Sequence, residues 1–238
     1  MTVRLSSASS PHGSPPLDLG VVVDEAGQAT AWQTWGVGSV GRYGRQLSAP
    51  EQGKLRRSLA AATKATATED ATEVAPRVWA SSSTVERVEC GPLPVLTLDA
   101  NERGPRGWIG LIRFLRSLRS DLLDSPTAAI CLEIDGNPLR ARLRHAGTDP
   151  VSVGFTNLKV DAHLFGTNGA ILASVAPAIS SSAVAAEAGP GWALDLGAEL
   201  GLKSPTKGES VVLNIEFELD TSGDGRLRRV RLTQIIEQ

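Results

Sequence analysis

Between Pro138 and Val175 apolar and polar residues alternate, stop at a turn, and alternate again. Pro138-Leu-Arg-Ala-Arg-Leu-Arg-His145 runs into a Gly147-Thr-Asp-Pro150 turn, and Leu158-Lys-Val-Asp-Ala-His-Leu-Phe165 into a Gly166-Thr-Asn-Gly169 turn. A period of two buries one face of a strand and wets the other. Gly, Asn, Asp and Pro supply the reversals, so the pattern is that of short antiparallel strands. It extends over the second half of the chain, where strands are expected at Ile130–Ile134, Leu139–His145, Val151–Phe155, Leu158–Phe165, Ile171–Val175, Trp192–Leu196, Ser210–Leu219 and Leu227–Ile236. Ser210–Leu219 is the most regular, with Val211, Leu213, Ile215, Phe217 and Leu219 on one face. Eight short strands in about 110 residues imply an all-β immunoglobulin-like sandwich over residues 127–238. Residues 176–191, rich in Ser and Ala, read as a crossover loop.

The first half has a different grammar. Thr2–Ser7, Leu17–Asp24 and Ala29–Trp35 form a β-meander, and a Gly-rich link, Gly36–Gly44, leads to an extended segment ending at Leu47. Ser48-Ala-Pro-Glu51 is a capping box. The Ser hydroxyl is expected to accept from the third helical amide while the Glu carboxylate reaches back to the cap amide. Leu55, Leu59 and Ala62 then mark one helical stripe. Thr63–Pro76 has no period and reads as a loop. Val78–Cys90 and Pro94–Asp99 are two further strands. Arg106–Leu123 is a second helix with Trp108, Leu111, Ile112, Leu115, Leu118 and Leu122 on one side, ended by Ser125-Pro126. The expected organisation is an α+β N-terminal domain, residues 1–125, made of a β-meander plus two helices, followed by the sandwich.

Composition narrows the function classes. A net charge of −2, with 14 basic and 13 acidic residues before Pro126 and 10 and 13 from there on, gives neither half a basic character. Nucleic acid and anionic lipid are therefore not expected partners. No apolar run reaches membrane-span length and the start has no apolar signal core, so a cytoplasmic chain is expected. Cys90 and Cys131 are too few for a disulfide scaffold and are expected to be reduced.

Each half also resembles a known kind of domain. Val21-Val-Val-Asp-Glu-Ala-Gly27, Leu47-Ser-Ala-Pro-Glu51 and Leu111–Leu123, in their order of strands and helices, resemble emfourin-type inhibitors of thermolysin-like peptidases and uncharacterised bacterial α+β domains. Leu143-Arg-His-Ala-Gly-Thr-Asp-Pro-Val151, Asn168-Gly169 and Lys207-Gly-Glu-Ser-Val211 resemble bacterial immunoglobulin-like modules, including the intracellular proteinase-inhibitor type. The resemblances imply protein binding of a peptidase-inhibitor-like kind, and they transfer no inhibitory residue.

Candidate chemistry is sparse. Gly36-Val-Gly-Ser-Val-Gly41 matches G-x-G-x-x-G, yet Arg42-Tyr-Gly-Arg-Gln follows where a dinucleotide site needs a helix, so a β-connection is expected. Arg42 and Arg45 keep an anion-binding role open there. Asp220-Thr-Ser-Gly-Asp-Gly225 resembles a calcium loop, but Arg231 stands where the bidentate Glu belongs, and a hairpin turn is expected. His12, His145 and His163 lack ligand spacing; His145 is in phase with buried residues and His163 is expected to be exposed. Cys90, before Gly91-Pro92, admits an exposed reactive thiol as well as a plain one. Arg106, Arg113 and Arg116 fall within about 80° of one another around the second helix. They form either a solvated face or a patch for an anion or an acidic partner. Arg140, Arg142 and Arg144 make a second basic row, with Glu216 and Glu218 expected across from it. No constellation for catalysis, a cofactor or a metal is expected. The reading is a non-catalytic protein-binding or assembly module. The alternatives are a structural subunit of a larger assembly or a small-ligand or anion-binding protein using Gly36–Arg45.

Overall fold

The structure is a computed structural model that describes residues 1–9, 17–68, 84–100, 102–136, 138–176, 186–199 and 202–237. Strand accounts for 54% of the described residues and helix for 18%, so they are mostly β, with two α-helices. The strands are β1 (Val3–Ser9), β2 (Leu17–Val23), β3 (Gln28–Gln33), β4 (Trp35–Val37), β5 (Ser39–Gln46), β6 (Val85–Cys90), β7 (Leu96–Asp99), β8 (Pro126–Asp135), β9 (Arg140–Gly147), β10 (Val151–Phe165), β11 (Ile171–Val175), β12 (Ala186–Ala188), β13 (Ala193–Glu199), β14 (Ser210–Leu219) and β15 (Arg228–Glu237). The helices are α1 (Ala49–Thr68) and α2 (Ile109–Leu122), the latter entered through a 3-10 turn at Arg106–Trp108. The chain packs as two compact units: residues 1–32 with 43–125, and residues 33–42 with 126–238. The short segment 33–42 thus belongs with the second unit, although it lies early in the sequence.

In the first unit the strand order is β5-β3-β2-β1-β6-β7. β1 pairs antiparallel with β2 and β6, aligning Leu5 with Val21 and Val88, and Val3 with Val23 and Cys90. These residues are buried, and α2 brings Leu111, Ile112, Phe114, Leu115, Leu118 and Leu122 to the unit's core. The helical stripe expected from the sequence is therefore buried, and Phe114 joins it.

At the start of α1 the Glu51 carboxylate accepts from the Ser48 backbone N–H at 2.8 Å, as a capping box requires. The Ser48 hydroxyl departs from expectation. It donates to the same Glu51 oxygen at 2.6 Å, a charged acceptor within its reach. α1 also runs on to Thr68, through the stretch that reads as a loop. Thr63 and Thr66 donate their hydroxyls to the carbonyls of Leu59 and Ala62, one turn back. A Cβ at Gly107 would overlap Ala65, so the missing side chain lets the 3-10 turn lie against this last part of α1.

The second unit has two sheets, ordered β13-β9-β8-β5 and β11-β10-β14-β15-β4, with β12 beside the start of β10. β4 runs parallel to β15 and pairs Trp35–Val37 with Arg231–Thr233. The Gly-rich segment is therefore two strands rather than a link. Gly38 takes φ 81°, and donates to the Thr233 carbonyl as β4 ends. The expected strands Val151–Phe155 and Leu158–Phe165 are one strand, β10, whose register against β14 shifts between Gly154 and Lys159. One apolar cluster joins both sheets: Ile130, Leu143, Val153, Leu213, Ile215, Phe217 and Leu232 are all within it. Phe155 stacks on Trp192 and Phe217, with ring centroids 6.2 and 6.4 Å apart.

Two substitutions in this unit separate the buried face from the surface. Ile215 is fully buried and Ile171 is 58% exposed. Ile215→Asp should cost several kcal/mol by burying an unpaired carboxylate, and Ile171→Asp about 0.5 kcal/mol or less. Urea unfolding of the full chain measures both. At α1, the Arg45 guanidinium and the two Ser48 bonds hold the Glu51 carboxyl at about 2, below its ordinary 4.5. A lowered folded-state value stabilises fully above pH 4.5, and the contribution disappears as pH falls toward 2. Glu51→Gln should cost about 1 kcal/mol at pH 7, and the gap to the parent chain should close between pH 4.5 and 2 in denaturant melts.

Candidate functional site

The side of α2 that carries arginines divides in two. Arg106 and Arg113 are exposed, as a solvated face requires. Arg116 instead folds toward the sheet and donates through Nε and Nη2 to Glu86 Oε2, at 2.8 and 2.6 Å. Arg119, which drew no attention in the sequence, joins it. Its Nη2 lies 3.3 Å from Glu86 Oε1 and its Nη1 donates to the Ser7 hydroxyl at 2.6 Å. Ser7 in turn donates to Glu86 Oε1 at 3.0 Å. Glu86 is 1% exposed and Ser7 2%, and they are paired across β1 and β6, next in line after Leu5 and Val88. The last row of an otherwise apolar sheet face is thus a carboxylate and a hydroxyl, met from above by two guanidiniums. Burial pulls the Arg119 guanidinium below its usual value, against the opposing pull of Glu86. The alternation Glu86, Val88, Cys90 and the spacing of Arg116 and Arg119 were the sequence signals for this cluster.

Beside the cluster α2 borders an open groove of about 370 Å³, lined by Arg103, Ile109, Ile112, Arg113, Arg116, Ser117 and Ser120. Arg103 and Arg113 are exposed, Ile112 is buried and Ile109 half-buried. The Ser117 hydroxyl is 3.4 Å from Asp121 Oδ2. Of the candidate arginines, then, the structure brings Arg113 and Arg116 to one groove and adds Arg103. Arg106 is not among the groove residues.

The remaining candidates are placed elsewhere. Arg45 forms a two-pronged pair with Glu51, at 2.7 and 3.0 Å. Arg42 lies against the backbone of Gly223, where a Cβ would overlap its guanidinium. The glycines of Gly36–Gly41 lie in β4, β5 and the break between them, and the next helix begins only at Ala49. Asp220 is 7% exposed and accepts from the amides of Ser222, Gly223 and Gly225, so its oxygens hold the β14–β15 turn. Asp224 pairs with Arg228 at 2.7 Å. Among the described residues no three His, Cys, Asp or Glu side chains are grouped as metal ligands would be. His145 is buried with Nε2 2.8 Å from the Asp149 carbonyl, and its Nδ1 has no partner there. His163 is bonded to Ser174 at 2.8 Å, and His12 lies outside the described residues.

Cys90 is not the exposed thiol that its turn position allowed. It is 1% exposed in the register of β1, and burial pushes its thiol up to about 11. Both cysteines are free. The basic row on β9 is neutralised differently from expectation. Arg144 pairs with Glu133 at 2.8 Å, and Arg142 stands between Glu133 and Asp195 in the sheet register. Glu216 lies in the other sheet, between Lys159 and Arg231. Among the described residues no helix is long and apolar enough to cross a membrane. No protein-family model matches this chain, and no curated protein or solved structure matches it.

The buried cluster has a testable energetic signature. Glu86→Leu leaves two guanidiniums facing an apolar residue and should cost about 3–5 kcal/mol. Adding Arg116→Leu and Arg119→Leu should recover most of that loss, because three apolar side chains can pack where an ion cluster was desolvated. Thermal and urea unfolding of the single and triple variants measure the difference.

Proposed function

We propose that this chain is a non-catalytic protein-binding module whose second unit is immunoglobulin-like and whose strand β11, last in its sheet among the described residues, adds an extended strand of a partner protein. The strand order supports the immunoglobulin-like reading. β8, β9 and β13 are neighbours in one sheet and β10, β14 and β15 in the other. The third strand of the series therefore changes sheets, a later one returns beside the second, and the last two close the opposite sheet. This order is like the Greek-key crossover of the A-B-E and C-F-G strands, which supports the reading. β11, beside β10, stands in the place of the additional edge strand.

The observation that carries the binding role is the chemistry of that edge. Residues 169–176, Gly-Ala-Ile-Leu-Ala-Ser-Val-Ala, contain neither a charge nor a proline, and Ile171 and Leu172 are 58% and 56% exposed. Free edges are ordinarily blunted by Lys, Pro or inward charges, since unpaired N–H and C=O groups recruit other strands. Among the described residues this edge carries a shift of register beside Leu164. Strand addition supplies affinity through backbone bonds and asks for no unusual side chain.

The test is capture of partners by the full chain, with Ile171→Lys and Leu172→Lys combined as the edge-charged variant. A defined partner that is lost on charging the edge, at unchanged melting temperature, supports the reading. A partner retained by the variant removes β11 from the account. A solution mass that rises with concentration and falls back in the variant would assign the edge to self-assembly instead. Given the resemblance of both halves to peptidase inhibitors, a thermolysin inhibition assay belongs in the first set of measurements.

A further inference from the structure

Among the described residues the α2 groove carries more positive charge than is paired there. Glu86 is shared by Arg116 and Arg119, so two guanidiniums meet one carboxylate. Arg103 and Arg113 line the same groove or its wall, and neither makes a hydrogen bond or an ion pair among the described residues. Asp121 lies beside Ser117 at the far end, and Glu102, next to Arg103 in the chain, accepts from the Asp99 amide. Arg113, Arg116 and Arg119 follow one another at three-residue spacing, where like charges on a helix repel. The field over the groove therefore favours an anion.

The rest of the lining says which kind. Ile109 and Ile112 give the groove an aliphatic floor, and Ser117 and Ser120 add exposed hydroxyls. A bare inorganic anion has no use for an aliphatic floor. A nucleic acid would want exposed aromatic faces, and the helix's own aromatics, Trp108 and Phe114, are each only 5% exposed. Carboxylates suit guanidiniums because the planar fork donates two parallel bonds to a carboxylate. A volume of about 370 Å³ accommodates one or two side chains rather than a folded surface.

We propose that this groove binds an acidic peptide segment of a partner protein, with its carboxylates on Arg103 and Arg113 and an apolar side chain on Ile109 and Ile112. The site is in the first unit, so it is separate from the strand addition proposed for β11 and does not rest on it.

The experiment is fluorescence anisotropy on the full chain, with a labelled synthetic peptide of Glu and Asp interrupted by two Leu. Its controls are the same peptide with Ser in place of Leu, and one with Lys in place of the acids. The acidic Leu peptide should bind, and raising the salt from 50 to 500 mM should weaken it at least tenfold. Arg103→Glu with Arg113→Glu should also weaken it at least tenfold and should transfer binding to the Lys peptide. Both side chains are exposed, so circular dichroism and the melting temperature should not move. The β11 variant should bind the peptide like the parent, which keeps the two proposals distinguishable. Absence of binding at millimolar peptide overturns the proposal, as does equal binding by the double variant. Equal affinity for the Ser-substituted peptide, or displacement by equimolar inorganic phosphate, also overturns it, because the groove would then be a bare anion site.

Discussion

Three residues near the start of the chain complete a sheet made near its end. Trp35–Val37 pair in parallel with Arg231–Thr233, and β5 continues from them to stand beside β8. A cut at Pro126 would remove β4 and the first residues of β5 from the unit with which they pack. Parallel pairing of such distant segments requires that the intervening chain be closed into a loop before any contact rewards it. The cost grows only slowly with length, about 0.6 kcal/mol per doubling, but it slows folding. The arrangement also explains the glycines. The chain leaves β4 at Gly38 and reaches β8 at Gly41, where a Cβ would collide with the backbone of Ala129. Side chains are absent from this segment where the backbone must turn or come close.

The first unit depends on a different constraint. Its sheet face is apolar along Val3, Leu5, Val88 and Cys90, then ends in Ser7 and Glu86. A carboxylate removed from water must be paired and fully hydrogen-bonded. Here two arginines from α2 and one hydroxyl supply the partners. Such a cluster adds little net stability compared with an apolar replacement, and it ties the Arg116–Arg119 part of α2 to the end of the sheet that carries Glu86.

What the sequence revealed depended on whether the determining partner was local. The alternation of β14 is self-sufficient: one face must be dry for Val211, Leu213, Ile215, Phe217 and Leu219 to be tolerated, and all five are fully buried. The end of α1 was not legible, because the residue that makes room for Ala65 is Gly107, on another element. β4 was not legible because its partner is at Arg231–Thr233. The arginines of α2 were half legible. Angular position alone put Arg106, Arg113 and Arg116 on one wet face, but Arg116 lies at the border of the apolar stripe and its side chain is long enough to reach beneath the helix. Only the position of Glu86 decides that it does so, and a lone glutamate in a strand ordinarily reads as an outward residue.

The two proposed surfaces use different physical means, and neither is strong by itself. An edge of five residues offers a few backbone hydrogen bonds, each worth about 0.5–1.5 kcal/mol after exchange with water. A guanidinium–carboxylate pair at an exposed rim adds about 0–1 kcal/mol and is screened by salt. Surfaces of this size fall below the roughly 1,000 Å² that stable complexes bury. Each alone therefore belongs to a transient contact, and each can be built from common residues. Catalysis and metal binding need particular groups at fixed spacing and so leave motifs in a sequence. An uncharged strand edge and an excess of two or three arginines leave none. That is why the two proposed surfaces, β11 and the groove along α2, are so plain in the sequence.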